Sequence, residues 1–343
     1  MQKDFPLTQF SKGSGCGCKI APSVLQEMLQ GATQLNCPAL LIGNETKDDA
    51  AVYELEDGNC IISTTDFFTP IVNDAYTFGM IAAANAISDV YAMGGKPLMA
   101  VAILGWPIEK IPAAIAKQVL EGGRKICHEA GIPLAGGHSV DLPEPVFGLA
   151  VTGIVKKENI KKNNAIKEND ILFITKPLGS GVLASALKRG ILKKEHEEFL
   201  VKNLCALNKT GEQLGKKNFV HAMTDVTGFG LLGHLTEMTE DTKLCALIEK
   251  NKIPKLNGFD EYAAQFIYPE NTTRNFSAYS TKCEGMNDLD FLLFCDPQTN
   301  GGLLFSANEK NRTDVLGLMK ECGQEIWEIG KIISKEKNEV VFV

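Results

Sequence analysis

The sequence has few arginines, no long hydrophobic run and fewer basic than acidic side chains. Of its 343 residues, 35 are Lys or Arg and 42 are Asp or Glu, which gives a net charge of −7. Because only four of the basic residues are Arg, a surface that binds nucleic-acid phosphates is not expected. No apolar run approaches the roughly 20 residues of a membrane helix. The composition, 44% hydrophobic and 22% charged, is typical of an ordinary globular protein.

From its first residues and its cysteine content we expect neither a secretory signal nor a disulfide framework. Its first residues, MQKDFPLTQF, contain no apolar stretch after a basic segment. Ten cysteines in 343 residues are a modest enrichment, and without an export signal they are expected to be reduced thiols. We therefore predict a cytoplasmic protein.

Length and pattern predict two domains, since 343 residues correspond to about two typical domains. Residues 1–19 form a polar, glycine-rich arm, and residues 20–157 carry alternating strand-like and helix-like segments. Residues 158–169 have hardly any apolar surface and are the predicted linker. Residues 170–343 contain further strands and helices, including a predicted strand at FLLFCD. Mixed elements on both sides of a linker indicate a two-domain α/β or α+β protein.

A predicted β-hairpin brings two aspartates together. The segments AAVYEL and CIISTTD flank the turn signal Asp57-Gly58. If the turn is centred between these two residues, Asp49 lies directly opposite Asp66. Opposed like charges destabilise a sheet, and a bound divalent cation would compensate them, since hard cations take oxygen ligands. A three-residue loop would instead shift the register by one residue and separate the two carboxylates.

Two further aspartates lie at the ends of predicted elements. Asp89 falls near the last turn of a helix predicted over residues 76–93, where the backbone carbonyls disfavour a negative charge. Asn85 shares its helix face, and a polar pair on an apolar helix favours a site over a buried carboxylate capped by amides. Asp225 follows an apolar run. Taken alone, Asp225 is better interpreted as a turn or capping residue than as a site residue. Only the presence of the other acids favours a role in a site.

Two glycine-rich strings could approach a phosphate group. In LAGGHSVD, Gly137, His138 and Ser139 combine a permissive backbone with imidazole and hydroxyl donors, although such strings are also common in plain turns. The string GFGLLG has the GxGxxG pattern, but no strand ending in a ribose-binding acid follows it. A helix start packed through small residues is therefore favoured over a dinucleotide site.

The string GSGCGCK in the arm is the most unusual of the chain. Cys16 and Cys18 are too close for the CxxC spacing of zinc or thioredoxin motifs. Lys19 would favour a neighbouring thiolate, or would neutralise a triphosphate. On a flexible arm this group could fold over a site elsewhere as a lid. The alternative is a disordered terminus with incidental cysteines.

Together, several strings resemble the selenophosphate synthetase (selenide, water dikinase) family: GSGCGCK, GNETKDDAAV, ISTTDFF, NAISDVYAMGGKP, LAGGHS, MTDVTGFGLLGH and CDPQTNGG. The resemblance implies a two-domain fold like that of aminoimidazole-ribonucleotide synthetase, in which the N-terminal domain forms a β-barrel with a second subunit of a homodimer. It implies the synthesis of selenophosphate from ATP, hydrogen selenide and water, with release of AMP and orthophosphate. The product would serve as selenium donor for selenocysteine and selenouridine synthesis.

The same resemblance assigns roles to individual residues. Cys16 matches the catalytic Cys or selenocysteine position and Lys19 the essential lysine. Several Mg²⁺ ions would bridge the ATP phosphates, held by Asp49, Asp66, Asp89 and Asp225. ATP would be contacted across a shared dimer site by Lys19, Thr46, Lys47, Asp48, Asp66, Asp89, Gly137, His138 and Ser139. Asn300 stands where a small hydroxyl residue is expected.

Two other functions remain open at the level of sequence. Another ATP-using enzyme of the same superfamily, such as a thiamine-phosphate enzyme, would keep the acidic cluster but would not need GSGCGCK. A thiol-based selenium or metal carrier would use Cys16 and Cys18 and would leave the aspartates without a role.

Overall fold

The computed structural model describes residues 5–11, 13–18, 24, 27–28, 35–43 and 48–343. Lys19, Thr46 and Lys47 lie outside the described residues, as do the side chains of Cys16 and Cys18. None of the described helices is both long enough and apolar enough to cross a membrane.

The first unit is a six-stranded sheet with the order β1-β2-β3-β6-β4-β5, here called the N-terminal sheet. Its strands are β1 (Leu40–Ile42), β2 (Ala51–Glu54), β3 (Asn59–Phe68), β4 (Lys96–Trp106), β5 (Leu134–Asp141) and β6 (Val146–Lys156). Only the pairing of β4 with β5 is parallel among these strands. Two helices accompany the sheet, α1 (Ala75–Ala92) and α2 (Ala113–Glu129).

Side-chain alternation along β3 explains why the helices cover one face of this sheet. Cys60, Ile62 and Phe68 are buried on that face, and Phe68 meets Phe78 of α1 with ring centroids 6.2 Å apart. The opposite face carries no described helix and is here called the open face. It is defined by four exposed apolar side chains on its strands: Tyr53, Phe67, Met99 and Val101.

The second unit is a seven-stranded sheet with the order β10-β13-β9-β12-β7-β11-β8, here called the C-terminal sheet. Its strands are β7 (Asp170–Ile174), β8 (Val220–Asp225), β9 (Leu244–Ile248), β10 (Cys283–Glu284), β11 (Leu303–Asn308), β12 (Trp327–Ser334) and β13 (Val340–Phe342). The helices are α3 (Ser180–Lys188), α4 (Lys194–Cys205), α5 (Thr210–Gly215), α6 (Gly230–Thr239), α7 (Phe259–Ala263), α8 (Glu270–Tyr279), α9 (Phe291–Phe294) and α10 (Arg312–Glu321). Two mixed sheets with helices confirm the two-domain α/β fold.

Helix α1 lies between the two units. It packs on β3, β6 and α2 on one side, and on α4, α5 and β8 on the other. This position explains why the helix is apolar around nearly its whole circumference. Its approach to α2 is close because Gly79 and Gly122 have no side chains: a Cβ on Gly79 would lie 1.9 Å from the carbonyl oxygen of Val119.

The predicted hairpin register is wrong by one residue. Val52 pairs with Ile62 and Glu54 with Cys60, so Asp49 does not lie opposite Asp66. The reason is a three-residue loop, closed by the Leu55 N–H, which donates to the Asn59 carbonyl at 2.8 Å. Gly58 takes the left-handed conformation that such a loop needs, with φ of +78°.

The strand predicted at FLLFCD is also wrong, because Phe291–Phe294 forms the short helix α9. The Phe294 N–H donates to the Asp290 carbonyl at 3.0 Å, and its ring stacks on Phe342 with centroids 4.4 Å apart. A run of four apolar residues has no periodicity that separates a buried helix from a buried strand.

The segment between the sheets is held against β8. The Lys161 ammonium donates to the carbonyls of Lys217 at 2.9 Å and Val220 at 2.8 Å. Lys162 forms an isolated bridge with Ala222 of β8. The boundaries of the arm, the two domains and the linker remain predictions.

Candidate active site

Two carboxylates are held between α1 and β3. Asp66 and Thr64 lie on the buried side of β3, while Asn85 and Asp89 share the facing side of α1, as their spacing predicts. The Asn85 amide donates to Asp66 Oδ2 at 2.5 Å, and the Thr64 hydroxyl donates to Asp89 Oδ2 at 2.5 Å. The helix and the strand therefore fix the two acids beside each other.

The end of β8 brings two more carboxylates to the same place. The Thr224 hydroxyl donates to Asp49 Oδ1 at 2.8 Å, which attaches the segment before β2 to the C-terminal sheet. The Ser88 hydroxyl of α1 donates to Asp225 Oδ2 at 2.5 Å. Asp49 and Asp225 thus meet at the junction of the two sheets, next to Asp89.

The electrostatics show that the four acids converge. Burial raises the pKa of Asp89 well above its usual value, and the charges of Asp66, Asp225 and Asp49 raise it further. Burial likewise raises the pKa of Asp49, with Asp225 as the strongest neighbouring charge, while the bond from Thr224 acts against this shift. The neighbouring carboxylates therefore oppose the ionisation of Asp49 and Asp89, and a bound cation would relieve this repulsion.

The donor set fits Mg²⁺ shared with a ligand better than a metal enclosed by protein alone. Asp49 Oδ2 is buried and has no hydrogen-bond partner among the described residues. In the part of the chain that the structure describes, no three His, Cys, Asp or Glu side chains are grouped so as to hold one metal ion. Mg²⁺ is commonly bound by one or two carboxylates, with water and substrate phosphates completing the shell.

A chain of buried hydrogen bonds connects the C-terminal unit to Asp66. The Asn300 N–H donates to Asn85 Oδ1 at 2.7 Å, and Asn85 in turn holds Asp66. The Asn300 side chain donates to the carbonyls of Leu204 at 2.6 Å and Ala206 at 2.9 Å. Asn300 therefore fixes the position of the Asn85 side chain, whose amide orients the Asp66 carboxylate on the N-terminal sheet.

Lys176 supports this chain from the end of β7. Its ammonium donates to the carbonyls of Ala206 at 2.7 Å and Asn300 at 2.8 Å. Burial lowers the pKa of Lys176 to about 7, while Asp225 and Cys205 act in the opposite direction. The ammonium therefore stabilises residues 206 and 300 through their carbonyl groups.

A second chain reaches Asp225. The Asn208 amide donates to the Ser88 hydroxyl at 2.8 Å and to the Gly301 carbonyl at 2.8 Å. Ser88 in turn donates to Asp225. Asn300 is therefore connected to Asp66 through Asn85, and Gly301 is connected to Asp225 through Asn208 and Ser88.

The backbone of the arm reaches the same segment. The Gly15 N–H donates to the Thr69 carbonyl at 3.1 Å, just after β3. Gly15 has φ of +52°, and a Cβ there would lie 2.5 Å from the Thr299 hydroxyl. The short 3₁₀ helix Gly15–Cys18, which carries Cys16, therefore lies between the end of β3 and the residue before Asn300.

The other predicted site residues lie either beside the aspartate cluster or on the edge strand β5. Asp48 is next to the cluster, and its Oδ1 accepts the Asn163 N–H at 2.8 Å. Gly137, His138 and Ser139 are exposed in β5, the edge strand of the N-terminal sheet. Since β6 and β4 lie between β3 and β5, the two strands are about 14 Å apart. Within one chain, the structure does not bring these three residues to the aspartates.

The GxGxxG string forms a helix start, as the preferred interpretation predicts. A Cβ on Gly230 would lie 2.9 Å from the Phe294 carbonyl, and one on Gly233 would lie 2.6 Å from the Phe229 Cβ. The side-chain amides of Asn271 and Asn275 donate to the Gly228 carbonyl at 3.1 and 2.9 Å. These glycines serve close packing.

Sequence reasoning missed the polar partners of the acids. Ser88 directly precedes Asp89, Thr224 directly precedes Asp225, and Thr64 alternates with Asp66 along β3. A polar residue at the neighbouring or alternate position of an otherwise apolar element was the available signal. Asn208 and Lys176 lie far from the acids in sequence, and no local pattern singles them out.

Comparison with known proteins gives full-length relatives. Residues 47–155 match the family described as AIR synthase related protein, N-terminal domain, and residues 167–343 match the corresponding C-terminal domain. The chain is 50% identical over 338 residues to the selenide, water dikinase of Aeromonas salmonicida (strain A449), with 98% of each chain covered. It is 52% identical over 331 residues to that of Yersinia pseudotuberculosis serotype I (strain IP32953), which covers 96% of this chain and 95% of that one.

Solved structures share the fold at low sequence identity. The hydrogenase maturation protein HypE in complex with ATP matches with a TM-score of 0.66 and 17% identity, covering 98% of this chain and 94% of that chain. At this identity the likeness shows the fold alone.

Proposed function

This chain belongs to the selenide, water dikinase family and is an enzyme of ATP-dependent selenophosphate synthesis, and we propose that its reaction takes place at the four converging aspartates. The family membership rests on relatives about half identical over nearly the whole chain. The observation that supports this location is the set of hydrogen bonds by which β3, α1 and β8 hold the four acids at the junction of the two sheets. The reaction takes ATP, selenide and water to selenophosphate, AMP and orthophosphate.

The aspartates would bind the polyphosphate through Mg²⁺ ions, held by Asp49, Asp66, Asp89 and Asp225. Bound Mg²⁺ supplies charge neutralisation on the phosphate groups. The protein's own contribution is rigid placement, because hydroxyl and amide donors from β3, α1 and β8 fix the orientation of each carboxylate. Such pre-organisation is a major part of phosphoryl-transfer catalysis.

The arm would supply the remaining groups. The γ-phosphoryl group passes from ATP to selenium, and the ADP that remains is cleaved with water to AMP and orthophosphate. Cys16 would receive, orient or shield the selenium, and Lys19 would bring a positive charge to the phosphates. Thr46, Lys47 and Asp48 would contact ATP in the same chain. The position of the Gly15–Cys18 turn beside Thr69 and Thr299 supports this role of the arm.

Gly137, His138 and Ser139 would reach ATP from a second copy of the chain. Their exposure at the edge of the N-terminal sheet, next to the apolar open face, supports a homodimer. The cytoplasm remains the proposed location.

A comparison of Asp49→Asn with Asp57→Asn tests the site. Asp57 lies in the exposed turn of the same hairpin, where asparagine keeps the acceptor for the Asn59 N–H, so this variant serves as the control. Phosphorus NMR should show selenophosphate, AMP and orthophosphate with wild type and Asp57→Asn when ATP and selenide are both present. Asp49→Asn should keep its fold and lose at least about 100-fold in rate, as expected for loss of a group that positions transition-state charge.

Two outcomes would contradict the proposal. Equal rates for Asp49→Asn and wild type would exclude the ligand role of Asp49. AMP formation that does not depend on selenide would indicate a different ATP-using activity.

A further inference from the structure

A lysine outside the aspartate cluster holds the arm. Lys188 is the last residue of α3, and its ammonium donates to the carbonyls of Ser11 at 2.8 Å and Gly13 at 2.9 Å. The arm also donates a hydrogen bond to the helix: the Gln9 side-chain amide donates to the Lys188 carbonyl at 3.2 Å. The C-terminal end of α3 is therefore attached to the arm by both its side chain and its backbone.

These contacts matter because they lie in the connection between two short 3₁₀ helices of the arm, Leu7–Phe10 and Gly15–Cys18. Ser11, Gly13, Gly15 and Gly17 belong to a glycine-rich segment whose backbone has a large conformational entropy to lose. Two hydrogen bonds from one ammonium group are charge-assisted and stronger than neutral ones. Burial lowers the pKa of Lys188, and Glu144 nearby opposes this effect.

The other end of the described arm is attached to the N-terminal unit. Leu7 is fully buried, and the Thr8 hydroxyl donates to Asn73 Oδ1 at 2.5 Å. Further along, the Gly15 N–H donates to the Thr69 carbonyl. The Lys188 contacts lie between these two attachments and are the described side-chain hydrogen bonds that connect residues 11–13 to the C-terminal unit.

Helix α3 also reaches the site at its other end. Its first N–H groups, from Ser180 and Gly181, are capped by Gln298 at 3.1 Å and Asp296 at 3.0 Å. These capping residues directly precede Thr299 and Asn300, which contact Gly15 and Asn85. One rigid helix therefore connects the segment beside the aspartates to the carbonyls of the arm.

We propose that Lys188 is a positioning residue for the reaction: its ammonium holds the carbonyls of Ser11 and Gly13, so that the Gly15–Cys18 turn stays at the end of β3 next to the aspartate cluster. The contacts themselves are independent of the activity, while the consequence for catalysis rests on the proposed role of Cys16. In this proposal Lys188 acts through the conformation of the arm.

The first part of the test measures the arm directly. Lys188→Met removes the ammonium and keeps an apolar stem of similar length. Arg189→Met is the matched control, since Arg189 is the exposed next residue. Hydrogen exchange of the ligand-free, full-length protein should be about tenfold or more faster at the Gly15 amide in Lys188→Met, from the loss of two bonds to a charged group. Exchange in Arg189→Met should equal that of wild type.

The second part measures turnover and nucleotide binding. Lys188→Met should lower the kcat for selenophosphate formation about tenfold and leave the Kd for ATP within about twofold, while Lys188→Arg should restore most of the kcat by donating to both carbonyls. A general loss of folding would instead change exchange throughout the chain and would not be rescued by arginine.

The outcomes separate the two proposals. Unchanged exchange at Gly15 in Lys188→Met would overturn the anchoring itself. Faster exchange with an unchanged kcat would overturn the positioning role. If wild type makes no selenophosphate, the proposed function fails, while the exchange data still decide whether Lys188 holds the arm.

Discussion

Among single residues, Asp296 shows how burial changes the chemistry of a carboxyl group. It is completely buried, and its Oδ2 accepts the Gly181 N–H at 3.0 Å and the Gln298 amide at 2.8 Å. Burial raises the pKa of Asp296 to about 8, although its hydrogen bonds act in the opposite direction. The sequence predicts only a turn residue before Pro297. In the fold, this side chain caps α3 from a distance of more than 100 residues along the chain.

The raised pKa predicts the pH dependence of an Asp296→Asn variant. The folded protein holds a proton on Asp296 between the unfolded pKa near 4 and about 8, so this residue contributes stability at low pH that is lost as the pH rises through this window. Asparagine keeps an acceptor for Gly181 and does not ionise. The Tm of Asp296→Asn minus that of wild type should therefore increase from pH 5 to pH 8.5. Thermal melts that show a constant difference would contradict the assignment.

At the scale of elements, residues 296–302 connect the parts of the site. Gln298 and Asp296 cap α3, Asn300 holds Asn85, and the Gly301 carbonyl accepts from Asn208. Asn300 has φ of +46°, a conformation that asparagine and glycine adopt at low cost. Residues 296–302 therefore include a left-handed backbone conformation at Asn300, and their hydrogen bonds help to orient carboxylates on both sheets.

Asn300→Gly tests this connection, with Asn169→Gly as the matched control. Asn169 is exposed, and its φ of +68° makes the backbone change equivalent. Asn300→Gly keeps the N–H to Asn85 but removes two buried hydrogen bonds, so we expect a loss of about 1–3 kcal/mol in stability. The Mg²⁺ concentration for half-maximal turnover should rise severalfold as Asp66 becomes less fixed. Urea denaturation and Mg²⁺ titrations that give the same result for both variants would exclude a positioning role.

The elements also show what sequence patterns could predict. The alanine-rich run over residues 76–93 and the strand-like runs over residues 98–104 and 146–155 are long, and they predict α1, β4 and β6 to within a few residues. The hairpin register was wrong because it depends on the backbone of Gly58 rather than on the alternation of side chains. Asn208 and Lys176, which support the residues around the acids, were missed because tertiary packing brings them to the site and no local pattern encodes it.

At the scale of the whole molecule, the open face of the N-terminal sheet is the surface through which we expect two chains to associate. Tyr53, Phe67, Met99 and Val101 are between 38% and 54% exposed on this face, and contiguous apolar surface of this kind marks an interface. The predicted intersubunit barrel would cover it with a second copy. It would also bring the edge strand β5, with His138, towards the partner.

Met99→Glu tests the association, with Leu289→Glu as control. Both side chains are exposed, 45% for Met99 and 55% for Leu289, but Leu289 lies in the C-terminal unit. A buried carboxylate without a partner costs several kcal/mol, so Met99→Glu should be a monomer at concentrations where wild type and Leu289→Glu are dimers. Sedimentation velocity measures the state. A Met99→Glu protein that remains dimeric would place the interface elsewhere.

The position of α1 between the sheets has a consequence for motion. Ser88 of this helix donates to Asp225, and Asn85 accepts from Asn300, so a hinge movement of the two halves would break buried bonds between the helix and the C-terminal unit. Each such group left unsatisfied costs about 1–3 kcal/mol. We therefore expect α1 to oppose a hinge movement between the two sheets.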